Sequence, residues 1–256
     1  MPDLPDYVLT NRELWDTTAH DWVAMGERAW TEEPSWGIWG IPETDLRLLP
    51  DDMTGMRTIE LGCGTAYVSE WMIRRGAEAV GIDNSEQQIA TARRLADEHG
   101  AQLELIHGNA ETVPYPDESF DFAISEYGVA IWADPYKWVP EAWRVLRPGG
   151  HLVMLGNHPL VSITQRLDVD EPTTRTLLHP YFGMHRIDWD DGKERGTEFN
   201  LTISEWHRLW ANTGFEFLEY LELRSPAPGN EVRFFASADW AHDYPTEHVW
   251  KVRKRK

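Results

Sequence analysis

Arg57-Thr-Ile-Glu-Leu-Gly-Cys-Gly-Thr-Ala66, with Val80-Gly-Ile-Asp83 shortly after it, decides how this chain folds. The first stretch reads as a strand, a glycine turn and the start of a helix; the second reads as a strand ending in a carboxylate. Gly62 and Gly64 let the backbone turn sharply and approach a ligand closely, because a Cβ at either place would narrow that space. Asp83 follows Gly62 at about the interval where an acid meets ribose hydroxyls after a Rossmann turn. The two segments together are suited to a nucleoside.

Residues around the turn choose among nucleosides. A dinucleotide fingerprint G-x-G-x-x-G would begin at Gly62 and end on Tyr67, where close packing of helix on strand wants glycine. Glu60, two residues before Gly62, would repel a pyrophosphate and attract an ammonium or sulfonium group. S-adenosylmethionine joins a ribose to an α-amino group and a sulfonium, and so suits both Asp83 and Glu60. A dehydrogenase using a nicotinamide dinucleotide is the reading these residues disfavour.

The chain has 256 residues, which suits one α/β domain with embellishments. Its 24 Lys plus Arg against 43 Asp plus Glu give a formal charge of -19, so the average surface repels a phosphate backbone and nucleic acid is a poor partner. Cys63 is the only cysteine, which rules out an internal disulfide. Nothing in Met1 to Tyr7 resembles a basic, apolar leader, and the expectation is a cytoplasmic protein. No apolar run approaches the roughly 20 residues that span a bilayer. Of 14 tryptophans, Trp15, Trp22, Trp30, Trp36 and Trp39 cluster early, as suited to a core as to a pocket. The basic tail Lys251-Val-Arg-Lys-Arg-Lys256 reads as a frayed, solvated end.

Leu14, Trp15, Ala19, Trp22 and Val23 have helical spacing over Asn11 to Gly26, and a loop and a short helix near Glu43 to Leu49 follow. Residues 1–50 could therefore fold over the pocket as a helical lid, or simply pack on the sheet. Strands and helices then alternate over residues 51–156, the mark of a parallel sheet. The strands fall at Arg57 to Leu61, Ala79 to Ile82, Leu103 to Ile106, Phe120 to Ser125 and His151 to Leu155. Between them lie helices over Ala66 to Arg75, after Ser85 with Gln88 completing a capping box, and over Tyr136 to Leu146. Arg147-Pro-Gly-Gly150 should break that last helix and start the fifth strand. Residues 157–200 have little periodicity and read as an insertion capping the sheet. Residues 201–256 complete the same sheet, with a helix from Ser204 to Gly214, closing strands at Phe215 to Leu223 and Val232 to Ala238, and a terminal helix or extended tail over Asp243 to Arg253.

Four elements in order, Ile59-Glu-Leu-Gly-Cys-Gly-Thr65, Gly81-Ile-Asp83, Gly108-Asn-Ala-Glu-Thr-Val-Pro-Tyr-Pro116 before Ser119-Phe-Asp121, and Arg144-Val-Leu-Arg-Pro-Gly-Gly150, resemble the class I S-adenosylmethionine-dependent methyltransferases. Within that family they are most similar to the ubiquinone and menaquinone biosynthesis type. The resemblance implies a Rossmann-like, doubly wound α/β sheet of seven strands, mostly parallel with one antiparallel strand. It implies S-adenosylmethionine as cofactor and S-adenosylhomocysteine as product, with Glu60, Gly62, Cys63 and Gly64 around the methionine portion and Asp83 on the ribose. Asn84 and Gln88 would lie near ribose or adenine, and Asn109, Ala110 and Glu111 would read adenine. Asn109 stands where the family usually has aspartate; the amide keeps one acceptor without the charge. Glu126 would border the cofactor at the end of the fourth strand.

The acceptor is less legible. Tyr127, Trp132 and Trp36 are candidates to line its pocket, with ordinary aromatic packing as the alternative. His158, just past the fifth strand, is the leading candidate for a general base, with substrate binding or packing as its other readings; His20 is a weaker one. His179, His185, Asp188, Asp190 and Asp191 match no established metal-ligand spacing, and Asp190-Asp-Gly192 reads as a turn, so no metal is expected. The expected function is methyl transfer to a small, partly apolar or aromatic acceptor by a monomer or homodimer. The alternatives are a methyltransferase acting on protein or RNA and a non-catalytic S-adenosylmethionine-binding module.

Overall fold

A computed structural model describes residues 4–256; Met1 to Asp3, part of the stretch read for a leader, lie outside them. The chain opens with α1 (Asp6–Ala29), followed by the two-residue strands β1 (Ser35–Trp36) and β2 (Ile41–Pro42) and the one-turn α2 (Glu43–Leu46). The alternating core comprises β3 (Arg57–Leu61), α3 (Tyr67–Arg74), β4 (Glu78–Asp83), α4 (Glu86–His99), β5 (Leu103–His107) and β6 (Phe120–Glu126). After α5 (Gly128–Trp132) and α6 (Pro135–Val145) comes the long β7 (Leu146–Asn157). The helix ends at Val145, just ahead of Arg147-Pro-Gly-Gly150 as expected, and the strand already includes these four residues instead of starting at His151. The helix of Ser85 is capped by half a box: Gln88 N donates to Ser85 Oγ (3.1 Å), but the Gln88 side chain makes no return bond.

The insertion is more regular than its sequence suggests. It holds α7 (Pro159–Thr164) and a hairpin of β8 (Arg186–Asp190) and β9 (Arg195–Phe199), turned at Asp190-Asp-Gly192. Next come α8 (Ile203–Thr213), whose Thr202 and Glu205 form a capping box, and β10 (Phe215–Leu223). Val232 to Ala238 does not close the sheet. It forms the small hairpin β11 (Val232–Arg233) and β12 (Ala236–Ser237) leading into α9 (Ala238–Asp243), and the closing strand is β13 (Glu247–Lys254).

The seven-stranded sheet runs β10-β13-β7-β6-β3-β4-β5. Only β13 is antiparallel, paired with both β10 and β7. Strand order reverses between β3 and β6, so loops leaving their carboxyl ends part there and open a crevice, the place where doubly wound sheets bind ligands. One core layer packs Trp138, Trp206 and Trp210 against the β7 and β13 side; another packs Trp36, Trp71 and Met72 beside β3 and β6.

The basic tail is an internal strand because its partner is acidic. Arg253 lies opposite Glu216 and Lys251 opposite Glu219, each pair joined by an ion pair (2.6 and 2.8 Å). Lys254 donates to Leu146 O (2.7 Å) and stands 3.9 Å over the Trp143 ring. The charges that suggest solvation in sequence are thus neutralised across strands.

Candidate active site

Gly62 and Gly64 sit at φ +75° and +51° at the end of β3. A Cβ on Gly62 would come within 2.6 Å of Gly128 Cα, so this glycine is what lets β3 and α5 lie side by side. A Cβ on Gly64 would meet nothing nearer than Gln88 Oε1 at 3.9 Å, which leaves that side of the turn open. The opening belongs to a cavity of about 600 Å³ that starts at this turn and extends beneath α1.

Carboxylates mark the turn end of the cavity. Asp83 accepts Gly64 N on Oδ2 and Ser85 N on Oδ1, each at 2.8 Å, which fixes its carboxyl at the cavity wall. Burial raises its pKa in spite of those bonds. Glu60 is buried and accepts both Ser69 N (2.8 Å) and Ser69 Oγ (2.6 Å) on Oε2, leaving Oε1 outside that pair of bonds. Burial pushes its carboxyl up to about 8, the Ser69 bonds opposing. Glu126 accepts from the Tyr67 hydroxyl and from Gly37 N (3.3 Å), and burial raises it too. Burial disfavours the charged form of these carboxyls and a neighbouring cation favours it, so this wall suits a ligand carrying one.

The residues fit the nucleoside that the sequence implies. Gln88 Oε1 is buried without a partner beside the open face of Gly64, an acceptor aimed at the wall of the cavity. Cys63, Asn109 and Ala110 line the same space. Asn84 lines it as well, but its side chain is committed to α1: Oδ1 accepts from Arg12 Nη2 (2.8 Å) and Nδ2 donates to Val8 O (2.8 Å). Glu111 does not line the cavity; its carboxylate accepts from the Tyr7 hydroxyl and from Asp134 N, both at 2.9 Å.

Aromatic rings continue the wall. Trp15 packs on Trp132 (5.1 Å, edge to face) and on Trp22 (5.4 Å), and Trp22 stacks on Phe234 at 5.7 Å. All four rings, with Tyr127, line the cavity. Tyr127 is held in the left-handed region at φ 59°, with its hydroxyl donating to Glu247 (2.6 Å).

Two expected acceptor residues lie elsewhere. Trp36 is fully buried against Trp71 and donates its indole to Glu43 (2.6 Å); a flat apolar ring with a satisfied N–H is more stable in the core than in a wall. His158 also faces away from the cavity. Its Nδ1 accepts Leu160 N (3.1 Å) and caps α7, its Nε2 meets Glu222 (3.2 Å), and burial lowers its pKa. His20 lies exposed beside Asp21. His185 pairs with Asp134 and Asp188 with Arg186, and among the described residues no His, Cys, Asp and Glu gather as a metal site.

Glu198 and Phe234 were not singled out in sequence, and Trp15 and Trp22 were named there only as members of the early tryptophan cluster and of a helical pattern. Trp15 and Trp22 did carry a signal, seven residues apart on one face of a helix; Glu198 and Phe234 carried none.

Residues 59–154 match a family described as methyltransferase domain. Over 101 residues the chain is 37% identical to demethylmenaquinone methyltransferase of Thermus thermophilus, covering 39% of this chain and 46% of that protein. Over 100 residues it is 35% identical to ubiquinone biosynthesis O-methyltransferase of Maricaulis maris, covering 39% of each. The match thus spans less than half the length of either relative. A solved S-adenosylmethionine-dependent methyltransferase from Mesorhizobium loti superposes with a TM-score of 0.66 at 23% identity, over 85% of this chain and 100% of that one. Residues 59–154 thus resemble a methyltransferase domain, and the chain has the fold of the solved S-adenosylmethionine-dependent methyltransferases.

Proposed function

We propose that the protein transfers a methyl group from S-adenosylmethionine to a small, partly apolar or aromatic acceptor. The observation that carries this reading is the continuity of one cavity from the glycine turn and Asp83 to the rings of Trp15, Trp22, Trp132 and Phe234. When bound, S-adenosylmethionine supplies an electrophilic methyl on a sulfonium leaving group that needs no protonation. Asp83 takes the ribose hydroxyls, Glu60 and the Gly62 to Gly64 backbone hold the amino-acid portion, and Gln88, Asn109 and Ala110 surround the base. Tyr127 and Trp132 position the acceptor. With reacting atoms held together and water kept out, positioning supplies much of the acceleration.

Residues 4–50 and the β8–β9 hairpin act as the cover of this cavity, with residues 51–156 as the donor-binding core. The two relatives' names place methyl transfer on demethylmenaquinone and in ubiquinone biosynthesis, small-molecule chemistry that agrees with an aromatic-lined chamber. Among the described residues no helix is long and apolar enough to cross a membrane. Titration calorimetry with S-adenosylhomocysteine tests the donor site, with micromolar or tighter binding expected. Absence of binding to the wild-type protein would overturn the reading. Labelled-methyl transfer to fractionated cell extract then separates small acceptors from proteins and RNA.

A further inference from the structure

The family match ends at residue 154, whereas much of the acceptor end of the cavity comes from residues outside it: Trp15, Trp22, Asn157, Glu198 and Phe234. Among these Glu198 is the one ionisable group. Its strand is fixed on both sides: Thr197 exchanges two hydrogen bonds with Asn11, and the Phe199 ring packs 5.0 Å from Tyr7. The side chain keeps some exposed surface because it lines a chamber, yet its carboxyl is desolvated there and pushed up to about 7, with Trp189 and Asn157 beside it opposing the shift. No Lys, Arg or His pairs with it among the described residues, and the neighbouring Asn157 Oδ1 is buried without a partner.

The chamber wall therefore combines a desolvated carboxyl lacking a cation with a run of aromatic faces. Among the described residues the only basic one lining the cavity is Arg28, exposed on α1, against Glu32, Glu33, Glu60, Asp83, Glu126 and Glu198. Such a wall discriminates between nucleophiles. Reaction of a phenolate or thiolate with a sulfonium would erase the positive charge beside which these carboxyls ionise. A neutral amine reacts with retention of that charge, which moves from sulfur to nitrogen and stays between carboxylates and ring faces.

We propose that Glu198 binds and deprotonates the acceptor nitrogen, and that the acceptor is an amine carried on a flat, apolar body. The proposal rests on the methyltransferase reading. An ammonium group gives one proton to the Glu198 carboxylate. The freed nitrogen lone pair forms the N–C bond as the C–S bond breaks with its electrons on sulfur. The products are S-adenosylhomocysteine and a methylated ammonium, and the proton on Glu198 passes to solvent.

Calorimetry on protein saturated with S-adenosylhomocysteine tests this with tryptamine and phenethylamine against the alcohols of matching shape, tryptophol and phenethyl alcohol. Each amine is expected to bind the wild type at least tenfold more tightly than its alcohol. Glu198→Gln is expected to lose that preference while affinity for S-adenosylhomocysteine changes less than twofold. Amines that bind the wild type no better than the alcohols, or not at all, overturn the proposal, as does a preference that survives in Glu198→Gln. Because the wild-type comparison decides by itself, a poorly folding variant does not protect the idea. Failure of S-adenosylhomocysteine to bind the wild type would instead remove the methyltransferase reading, and this proposal with it.

Discussion

Asn11 on α1 and Thr197 on β9 close a two-way clip: Asn11 Nδ2 donates to Thr197 O (2.8 Å) and Thr197 N donates to Asn11 Oδ1 (2.9 Å). Asn11 Nδ2 also donates to Trp132 O at 2.9 Å. One buried side chain thereby joins the first helix, the insertion hairpin and the segment after β6, residues separated by up to 186 positions. The next residue of the helix, Arg12, binds Asn84. The cover of the aromatic end of the cavity and the edge of its glycine-turn end are held by the same helix.

Removing the clip should loosen the cover without unfolding the sheet. Asn11→Ala leaves three buried backbone groups without their partner, and a stability loss of about 2 to 4 kcal/mol is expected. Amide hydrogen exchange in β8 and β9 should accelerate while β3 and β6 stay protected. Unchanged exchange in the hairpin would show that the clip does not hold it.

Asp83→Asn should weaken S-adenosylhomocysteine binding at least tenfold, about 1.4 kcal/mol. The amide keeps one oxygen acceptor for the turn but presents a donor where the second carboxylate oxygen stood. Circular dichroism should show an intact fold. Wild-type affinity in the variant would remove Asp83 from the ribose role.

His158→Asn should leave labelled-methyl transfer within twofold of wild type, because the imidazole is turned towards Glu222 and asparagine can still cap α7. A fall of a hundredfold would place His158 back in the chemistry.

Stability of the ligand-free protein should depend on pH in two opposite ways. Glu60, Glu198 and Glu247 have carboxyls raised by burial from 4.5 to about 8, about 7 and about 7. The folded state holds those protons longer than the unfolded state, so stability falls as pH rises above 4.5 and is fully lost from these groups above about 8. His151, His158 and His248 are lowered by burial from 6.5, and their contribution is lost as pH falls below that value. Thermal melting should therefore peak between about pH 5 and 6.5 and decline towards pH 9. Glu247→Gln, which keeps an acceptor for Ile38 N and the Tyr127 hydroxyl, should flatten the alkaline decline. A melting temperature that rises from pH 6 to 9 would contradict the assignment.

Lys254→Met should cost about 1 to 2 kcal/mol in chemical denaturation, through the lost bond to Leu146 O and the lost cation over Trp143. A neutral effect would mean that the tail's last buried cation contributes nothing.

The donor half of the site was legible because its determinants are local. Strand β3, the two glycines and the carboxylate ending β4 lie within one strand-turn-helix-strand unit, where alternation, positive φ and spacing each leave a mark in sequence. Boundaries of the core elements fell within a few residues for the same reason. The closing strand escaped notice because its stability comes from Glu216 and Glu219 on another strand, and a basic run carries no trace of a distant acidic partner. The tryptophans show the same limit. Trp30, Trp36 and Trp39 each place the indole N–H on a buried partner and serve the core, while Trp15 and Trp22 line the cavity. Composition could not separate the two groups.

By itself the sequence determined the sheet class, the position of the glycine turn and the chemistry of the donor. Each follows from residues close in the chain whose backbone and charge requirements are met nearby. Only the tertiary structure decided the aromatic end of the cavity, proposed to take the acceptor, where α1, α5, the insertion hairpin and the β11–β12 hairpin bring Trp15, Trp132, Glu198 and Phe234 to one wall. Contacts between segments so far apart depend on packing and on buried hydrogen bonds such as the Asn11–Thr197 clip, which leave no periodic signal along the chain.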